Sequence, residues 1–535
     1  MRPSPLMGNA QLRIDRPDTS DVSKAAHSGT KSSTRRLSEV RAEAEAQSIN
    51  PWKVAILLSA ALTLYRFAIF AQIGLHPDEA YYWLWSRVPS AGYYDHAPMI
   101  AWWIWLSTRL LGDSPLGIRL FPILSVLVVS AVTVALSWEL YRDRRLAVRA
   151  GVWLNAMPLI GFAALFATPD APSMLFWTLA VWALAWLRRS GDRRIWLLVG
   201  LLAGLGCLSK YTNLFLGLGI VFWMILDSEA RKRLFGPYMF VGGAIALVVF
   251  SPTIFWNFEH HWVSFTKQFG RIDSGQPSSW HTLEFLAGQF GLANPAIAIF
   301  AAIAVGIAWK QRRAGDFSSA AFLFALSAPL LIYMLLHSLH SRVQGNWLVP
   351  VYPAMAIMAA EGARRSAGSR HLSRMTKLAA PVGICLIVAS LFYFASPLGQ
   401  QASFPSPADK LIGWKELSQD IARYRPLHDA RWIGTIDYGV TGELAFYAGD
   451  PQHVQEIVSR ERYSFEMVDP QLVGQPALLV IPKATWMLPR LQKCLPQMEP
   501  VGEVARRAGK RVLERYTIFK INQAPQDIFS KGCTF

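Results

Sequence analysis

Long apolar segments alternate with short polar or basic gaps from residue 52 to residue 396. A helix needs about 20 mainly apolar residues to cross the hydrocarbon layer of a membrane. The pattern therefore predicts a polytopic α-helical membrane protein with about eleven transmembrane helices. Their predicted positions are 52–74, 115–140, 146–167, 171–188, 194–209, 212–227, 236–256, 284–309, 319–339, 344–361 and 377–396. Thr212-Asn213 is either a turn between two short helices or a break in one irregular helix.

The gaps between the predicted helices differ in charge. Every second gap is basic, namely 141–145, 188–194, 231–233, 310–313 and 364–377. Because Lys and Arg are enriched in cytoplasmic loops, the N-terminus is predicted in the cytoplasm and the C-terminus outside it. The extracytoplasmic gaps are then 75–114, 168–170, 209–211, 257–283, 340–343 and everything after 396. Residues 1–50 are polar and predict a disordered cytoplasmic tail, so the first transmembrane helix is expected to act as an uncleaved signal.

Composition agrees with a membrane protein. Hydrophobic residues make up 52% of the chain and charged residues only 17%, and 21 Trp residues are enough for aromatic belts at two membrane surfaces. The net charge of +17 would also suit nucleic acid. However, the basic residues lie in short gaps between apolar runs, where they set membrane orientation. The predicted surroundings are membrane lipids, and no nucleic-acid partner is expected.

The pattern changes after the last apolar run. Residues 51–398 form the predicted transmembrane domain, and residues 399–535 predict a small soluble extracytoplasmic α/β domain. Its predicted elements are helix Trp414–Tyr424, strands Arg431–Thr435, Ala477–Ile481 and Tyr516–Ile521, and a helix or turn at Gly442–Tyr447. We find no catalytic motif in this domain. Cys494 and Cys533 can pair if the domain lies outside the cytoplasm, but their spacing does not decide it.

The first extracytoplasmic gap, 75–114, holds most of the groups that can do chemistry. It contains HPDEAYYWLW at 76–85 and YYDHAP at 93–98. Ala80–Trp85 and Met99–Leu111 predict two short helices in the membrane interface, with their aromatic rings at head-group depth. Carboxylates beside lipid are costly unless they serve a functional site. The acidic residues of this gap are therefore candidates for catalysis.

The other extracytoplasmic gaps also collect polar side chains, among them Asp170, Lys210, Tyr211, His261, Arg342 and Asn346. Carboxylates offer a general base or metal ligands, and cations bind phosphate. Structural roles remain open for the same residues. Asp78-Glu79 can be a charge pair at a helix N-terminus, Asp170 a helix cap, Asp95-His96 a loop pair, and Lys210 a lysine that extends to the membrane surface. His260-His261 can be plain interface residues.

These motifs together resemble the GT-C glycosyltransferases, and more narrowly the bacterial branch of the dolichyl-phosphate-mannose protein mannosyltransferase family. That branch includes aminoarabinose transferases of lipid A and galacturonosyltransferases of lipopolysaccharide. The resemblance covers about residues 52–400 and rests on PDEAYY at 77–82, YDHAP at 94–98, TPDAP at 168–172, LSKYT at 208–212, Trp256-Asn257, QGNW at 344–347 and PVYP at 350–353. The aminoarabinose transferases have Glu-Lys where this chain has Asp95-His96.

The resemblance implies an inverting transfer of one sugar from a polyprenyl-phosphate donor to a lipid or glycan acceptor, such as lipid A or core oligosaccharide. The reaction would take place at the periplasmic face of the bacterial inner membrane. Asp78 would be the base, with Asp170 and Glu79 as further catalytic residues. The residues expected to bind the donor phosphate and substrate are Asp95, His96, Lys210, Tyr211, His261, Arg342 and Asn346. No cofactor is certain, and a divalent metal ion held by Asp95 and His261 is left open.

Two other functions are weighed against this one. A multispan lipid or glycan transporter would carry its charges near the membrane midplane, whereas here they lie at helix ends. A protein O-mannosyltransferase would use the same fold with a protein acceptor. The sequence identifies neither the sugar nor the acceptor.

Overall fold

The computed structural model describes residues 51–163, 166–270, 279–401, 404–466 and 468–533, so the tail predicted at 1–50 lies outside it. From Ala55 onward the chain forms one compact unit. Its helices are α1 Pro51–Phe70, α2 Pro77–Arg87, α3 Met99–Leu111, α4 Pro115–Tyr141, α5 Arg144–Asn155, α6 Pro158–Ala163, α7 Asp170–Ser190, α8 Ile195–Ser209, α9 Leu214–Leu226, α10 Ser228–Leu234, α11 Pro237–Glu259, α12 Val263–Phe269, α13 Ser279–Leu292, α14 Pro295–Arg313, α15 Ser319–Ser338, α16 Tyr352–Arg365, α17 Arg370–Ala395, α18 Pro397–Gln400, α19 Trp414–Leu427, α20 Tyr438–Ala448 and α21 Leu488–Cys494.

Six described helices are long and apolar enough to cross a membrane, namely α1, α4, α7, α11, α15 and α17. Two further pairs qualify only if each bent pair is one span: α9 with the 3-10 turn before it and α10, bent by 108°, and α13 with α14, bent by 103°. The number of spans among the described residues is thus six to eight. The polytopic fold class is confirmed, but the count of eleven is not.

Proline explains most of this difference. The predicted helix 146–167 is broken at Pro158 into α5 and α6, and the predicted helix 284–309 bends where Pro295 begins α14. The predicted helix 344–361 starts as a 3-10 helix, Gly345–Val351, that contains Pro350. Proline removes a backbone donor and clashes with the preceding turn, so an apolar run that contains it need not be one helix.

The C-terminal part is built on a five-stranded sheet. Its strands are β1 Trp432–Thr435, β2 Val454–Glu456, β3 Ala477–Pro482, β4 Glu499–Ala508 and β5 Arg511–Ile521. They lie in the order β2-β1-β3-β5-β4, in which β1 is parallel to β2 and β3, and β5 is antiparallel to β3 and β4. The predicted strands are found, whereas β2 and β4 were not predicted. Cys494 and Cys533 form a disulfide, with their Cα atoms 5.8 Å apart.

Helix α20 of this C-terminal part packs directly on α2. A Cβ atom added to Gly442 would lie 2.7 Å from the backbone nitrogen of Tyr81, and one added to Gly439 would lie 2.6 Å from Cβ of Pro77. Such close approach of two backbones requires glycine. The aromatic side chains of α2 are therefore buried inside the protein: Tyr81, Tyr82, Trp83 and Trp85 are all less than a tenth exposed. They pack against protein rather than against lipid, and their depth relative to the membrane stays a prediction.

Candidate functional site

The start of α2 directs two neighbouring carboxylates to different places. Pro77 occupies the first helical position, and His76 and Glu79 form a capping box around it. Successive residues of an α-helix point about 100° apart. As a result Asp78 faces a cavity at the mouth of the helix bundle, whereas Glu79 faces its interior, where its side chain is fully buried.

Glu79 is held in a closed polar network. Its two carboxylate oxygens accept from Arg119, with Nε 2.8 Å from Oε1 and one terminal nitrogen 2.5 Å from Oε2. They also accept from the backbone N–H of Ala167 and of His76, at 2.8 and 2.9 Å. The Arg119 guanidinium in turn donates to three backbone carbonyls between 70 and 74. Glu79 fastens α2 to α4 and to the end of α1, and the structure does not place this predicted catalytic residue at the cavity.

The cavity at the mouth of the bundle has a volume of about 150 Å³, and we call it the carboxylate cavity. It brings together six of the residues singled out from the sequence: Asp78, Asp95, His96, Asp170, Lys210 and Asn346. The other residues that line it are Tyr81, Tyr82, Thr168, Pro169, Gln268, Gln344, Trp347, Tyr438 and Arg462. Carboxylates from two separate gaps between apolar runs thus share one cavity.

Asp170 is the most strongly bound of these carboxylates. Lys210 Nζ lies 2.7 Å from its Oδ1, and Asn346 Nδ2 donates to its Oδ2 at 2.6 Å. Thr168 Oγ1 also donates to Oδ2, at 3.3 Å. As the first residue of α7, Asp170 lies at the positive end of the helix dipole, which favours a negative charge there. Asp170 can therefore stabilise the start of α7 and line the carboxylate cavity at the same time.

Asp78 is held by a residue far away in the sequence. The Tyr438 hydroxyl, at the start of α20, donates to Asp78 Oδ1 at 2.8 Å. Burial, and then the Asp78 charge, raise the pKa of Tyr438, so its hydroxyl stays protonated and remains the donor. His76 Nδ1 lies 3.7 Å from Oδ2 and accepts from the backbone N–H of Asp78 at 3.2 Å, and burial lowers the pKa of this imidazole. About a third of the Asp78 side chain is exposed, so this carboxylate has an edge turned to the cavity.

Asp95 is paired with a cation from the C-terminal part. The Arg462 guanidinium lies 3.5 Å from Asp95 Oδ2, and Tyr81 Oη donates to the same oxygen at 3.1 Å. Arg462 also lies over the rings of Tyr438 and Tyr94, at 4.7 and 5.9 Å. Burial lowers the pKa of Arg462, but Asp95 and the tyrosines outweigh that effect and raise it overall. Arg462 is thus a fixed positive charge in the wall of the cavity.

The sequence did not predict Tyr438 or Arg462. Both lie in the C-terminal part, in which no catalytic motif was found, and neither stands in a stretch that differs from its surroundings. Their role becomes visible only when α20 packs on α2.

Three predicted binding residues lie elsewhere. Tyr211 is buried beside the cavity, where its hydroxyl bonds to Ser264 Oγ at 2.8 Å and its ring stacks on Phe265. Arg342 is largely exposed and pairs with Glu284 at 2.5 Å. His261 lines a separate, shallow hollow next to Tyr94 and Lys267. The structure does not bring these three side chains into the carboxylate cavity.

The geometry does not fit the metal site left open by the sequence. Across the described residues, no group of three or more His, Cys, Asp or Glu side chains lies close enough to hold a metal ion. Asp95 lines the carboxylate cavity whereas His261 does not, and Arg462 already pairs with the Asp95 carboxylate. We therefore derive no reaction step through a metal ion.

Comparison with known proteins shows what this chain is similar to. The family described as dolichyl-phosphate-mannose-protein mannosyltransferase matches residues 95–256, a range that includes Asp95, Asp170 and Lys210. The lipid A galacturonosyltransferase RgtD of Rhizobium johnstonii is 28% identical over 309 residues, which are 57% of this chain and 64% of that protein. The undecaprenyl phosphate-alpha-4-amino-4-deoxy-L-arabinose arabinosyl transferase of Enterobacter sp. is 25% identical over 314 residues, which are 55% of this chain and 54% of that protein. The chain therefore spans less than two thirds of the length of either relative.

The fold is similar to that of ArnT from Cupriavidus metallidurans, which was crystallised with bound undecaprenyl phosphate. The TM-score is 0.62 at 18% identity, and the match covers 88% of this chain and 98% of ArnT. A match of this extent must include the C-terminal part as well as the bundle. These findings confirm the predicted fold class and the resemblance to the bacterial branch of the family.

Proposed function

We propose that this chain is a glycosyltransferase that moves one sugar from a polyprenyl phosphate to a hydroxyl group of an envelope acceptor, with inversion at the sugar C1. The name of RgtD favours lipid A as the acceptor, and the name of the Enterobacter transferase favours undecaprenyl phosphate as the carrier of the sugar. The observation that carries the proposal is the convergence of Asp78, Asp95, Asp170 and Lys210 on one cavity at the bundle mouth.

The reaction needs few groups because the donor is already activated. The acceptor oxygen attacks C1 on the side opposite the phosphate, the new C1–O bond forms, and the C1–O bond to phosphate breaks. The electron pair leaves with the phosphate, which is a stable anion and needs no protonating acid. The acceptor proton goes to Asp78. Such a reaction requires one base, cations near the phosphate and exclusion of water.

Asp78 suits the base because its two oxygens have different surroundings. Tyr438 donates to Oδ1 and so fixes the carboxylate, and about a third of the Asp78 side chain stays exposed. Lys210 and Arg462 supply the positive charge for the phosphate or for a charged group of the sugar. Asp170 and Asn346 hold Lys210 and the 344–347 segment in place around this charge. His96 lines the same cavity and is a further contact for the substrate.

The carboxylate cavity is smaller than the roughly 300 Å³ at which ordinary ligand sites begin. We therefore expect donor binding to widen it. The alternative function is transfer to a hydroxyl group of a protein, and only the description of the matching family favours it. A transporter is disfavoured, because Asp78 and Asp170 lie at the beginnings of α2 and α7 and Asp95 lies in the loop before α3, so none of the three is in the middle of a helix.

We also propose that the cavity and the C-terminal part face the periplasm and that the N-terminus is cytoplasmic. The basic gaps lie at the opposite helix ends, as expected for cytoplasmic loops. The Cys494–Cys533 disulfide supports this orientation because stable disulfides form in oxidising compartments such as the periplasm. Labelling of a single cysteine at the exposed position 427 from each side of the membrane tests it.

The test of function is transfer by the purified protein in lipid nanodiscs. Undecaprenyl phosphates carrying aminoarabinose, galacturonic acid or mannose are offered in turn with lipid A, and mass spectrometry follows both products. We expect one donor to release undecaprenyl phosphate and to modify lipid A, and Asp78→Asn to abolish this. Asp113→Asn removes an exposed carboxylate of the same loop and serves as the control. Failure with every donor, or full turnover by Asp78→Asn, would contradict the proposal.

A further inference from the structure

A second and larger cavity lies at the other end of the bundle, and we call it the opposite-face cavity. Its volume is about 1010 Å³, and it is bounded by the ends of α4, α7, α9 and α14 together with α10. Helix α7 connects the two cavities, since Asp170 lines the first and Arg188 the second. Eighteen residues of helix rise about 27 Å, close to the thickness of the hydrocarbon layer. The opposite-face cavity therefore opens at the other membrane surface.

The charges around this cavity are unbalanced. Six cations line it, namely Arg142, Arg188, Arg189, Lys232, Arg233 and Arg312. Only four carboxylates do so, namely Glu139, Asp227, Glu229 and Asp316. The wall thus carries an excess of two positive charges.

Four of the cations are matched by carboxylates of the same wall. Glu139 pairs with both Arg142 and Arg189, so one carboxylate serves two guanidinium groups. Asp227 lies 3.9 Å from Arg188, and Glu229 lies 2.9 Å from Lys232. These pairs hold the helix ends together and do not by themselves call for a ligand.

The other two cations are anchored without a carboxylate. Arg233 donates to the backbone carbonyl of Arg189 at 3.1 Å, and Arg312 donates to that of Leu226 at 3.1 Å. Among the described residues, neither guanidinium has a carboxylate within ion-pair distance. A Cβ atom on Gly191 would clash with the Arg233 guanidinium, so this glycine leaves room for it. Both arginines are therefore positioned with N–H groups left for another anion.

Membrane orientation does not by itself explain why these cations line a cavity. Basic residues set topology wherever they lie near a helix end, and Arg145 and Arg313 do so on the same face while exposed outside the cavity. The walls are also partly apolar, with Leu140, Leu234 and Phe317 lining the cavity. Exposed Trp186 and Phe235 continue this apolar surface beside it. Charge and apolar surface together suit an anion that carries acyl chains.

We propose that the opposite-face cavity binds the phosphodiester head group of an anionic phospholipid, with Arg233 and Arg312 as the principal phosphate contacts. Basic pockets between transmembrane helices are known to recognise such head groups. The excess of two cations matches a lipid with two phosphodiesters better than one with a single charge. The acyl chains follow the apolar surface out of the cavity into the surrounding leaflet.

Native mass spectrometry and thermal unfolding of the full chain test this proposal. The purified protein is titrated with cardiolipin, phosphatidylglycerol or phosphatidylcholine. We expect wild type to retain cardiolipin and to be stabilised by it, with phosphatidylcholine giving no effect. The double variant Arg233→Gln/Arg312→Gln should bind cardiolipin about thirtyfold more weakly, the scale expected for two cations near a lipid surface.

The control variant Arg145→Gln/Arg313→Gln removes two charges from the same membrane face but outside the cavity, and should bind cardiolipin as wild type does. Equal weakening in both variants would overturn the proposal, as would equal stabilisation by inorganic diphosphate. If the first variant does not fold, the wild-type titration still decides: no preference for anionic over zwitterionic lipid would refute the proposal. Arg233→Lys/Arg312→Lys keeps both charges and should retain most of the preference.

Discussion

The hydroxyl of Tyr438 donates a 2.8 Å hydrogen bond to Oδ1 of Asp78, although 360 residues separate the two in the chain. The bond joins the C-terminal part to the start of α2, at the carboxylate proposed to act as the base. A charge-assisted hydrogen bond of this kind fixes the carboxylate in one orientation. The C-terminal part therefore takes part in building the carboxylate cavity.

Tyr438→Phe should lower kcat about ten- to hundredfold, because hydrogen bonds to charged groups contribute roughly 1.5–3 kcal/mol. The KM for the donor should change little, since Tyr438 is proposed to orient the base rather than to bind the sugar. Steady-state kinetics in nanodiscs measures both constants. Tyr447→Phe, on the same helix but outside the cavity, is the matched control. A change in KM alone would show that Tyr438 contacts the donor instead.

Arg462→Gln should raise the KM for the polyprenyl-phosphate sugar about tenfold or more, because a fixed cation is lost from the cavity wall. Arg462→Lys should recover part of this loss, since it keeps the charge without the planar guanidinium. Arg423→Gln removes an exposed arginine of the C-terminal part and should leave KM unchanged. Wild-type KM in Arg462→Gln would exclude this residue from donor binding.

Lys210 and Arg342 give a direct comparison between two predicted phosphate ligands. Lys210 is buried in the carboxylate cavity, whereas Arg342 is largely exposed and paired with Glu284. Lys210→Gln should reduce kcat/KM for the donor by about a hundredfold or more, because a buried charge-assisted contact is removed and Asp170 loses its partner. Arg342→Gln should change it less than threefold. The opposite order would mean that the donor phosphate lies near Arg342.

Glu79→Gln should affect stability before chemistry. Removal of one partner from a buried ion pair costs about 3–5 kcal/mol, because the Arg119 charge is left without compensation. Thermal unfolding of detergent-purified protein should show a lower midpoint and a lower folded yield. The double variant Glu79→Gln/Arg119→Met should recover part of the loss. Glu79→Gln with wild-type stability and no turnover would instead support the catalytic assignment made from the sequence.

Stability of the C-terminal part should depend on pH. Burial raises the pKa of Glu456 to about 7 and that of Glu466 to about 7, from an ordinary value of 4.5. Burial likewise raises the pKa of Glu443. A carboxyl with a raised pKa in the folded state stabilises the fold at low pH, and this contribution is lost as the pH rises from about 4.5 to 7.

The thermal midpoint should therefore be a few degrees lower at pH 8 than at pH 5.5. Glu456→Gln and Glu466→Gln should flatten this dependence, because each removes a group that must ionise while buried. Glu499→Gln changes an exposed carboxylate of β4 and should keep the wild-type slope. Equal midpoints at both pH values in the wild type would contradict the expectation.

The sequence was sufficient to predict which charged residues lie together at the cavity. Asp78, Asp95, Asp170 and Lys210 each stand beside an apolar run, and topology alone brings the ends of such runs to one membrane surface. The prediction that Glu79 lies at the cavity was wrong. Each residue along an α-helix points about 100° away from the one before it, so Glu79 points into the bundle although its neighbour Asp78 faces the cavity.

Cavity residues that are placed by tertiary packing could not be predicted from the sequence. Tyr438 reaches the cavity because α20 packs on α2 through Gly439 and Gly442, and Arg462 reaches it from the turn 460–463, whose backbone accepts from Tyr81. No local pattern encodes such a contact between distant segments. The predicted number of spans was wrong for a different reason. Proline residues and helix bends divide apolar runs that composition alone counts as single transmembrane helices.

The glycine contact between α20 and α2 has an evolutionary consequence. Any side chain on either glycine would push the C-terminal part off the helix that bears the proposed base, so α2 and the C-terminal part must change together. Chimaeras that exchange the last 130 or so residues between relatives should lose turnover unless α2 is exchanged as well, even when both parents are active. New substrate preferences would then arise through paired changes in α2 and α20 rather than through replacement of the whole C-terminal part.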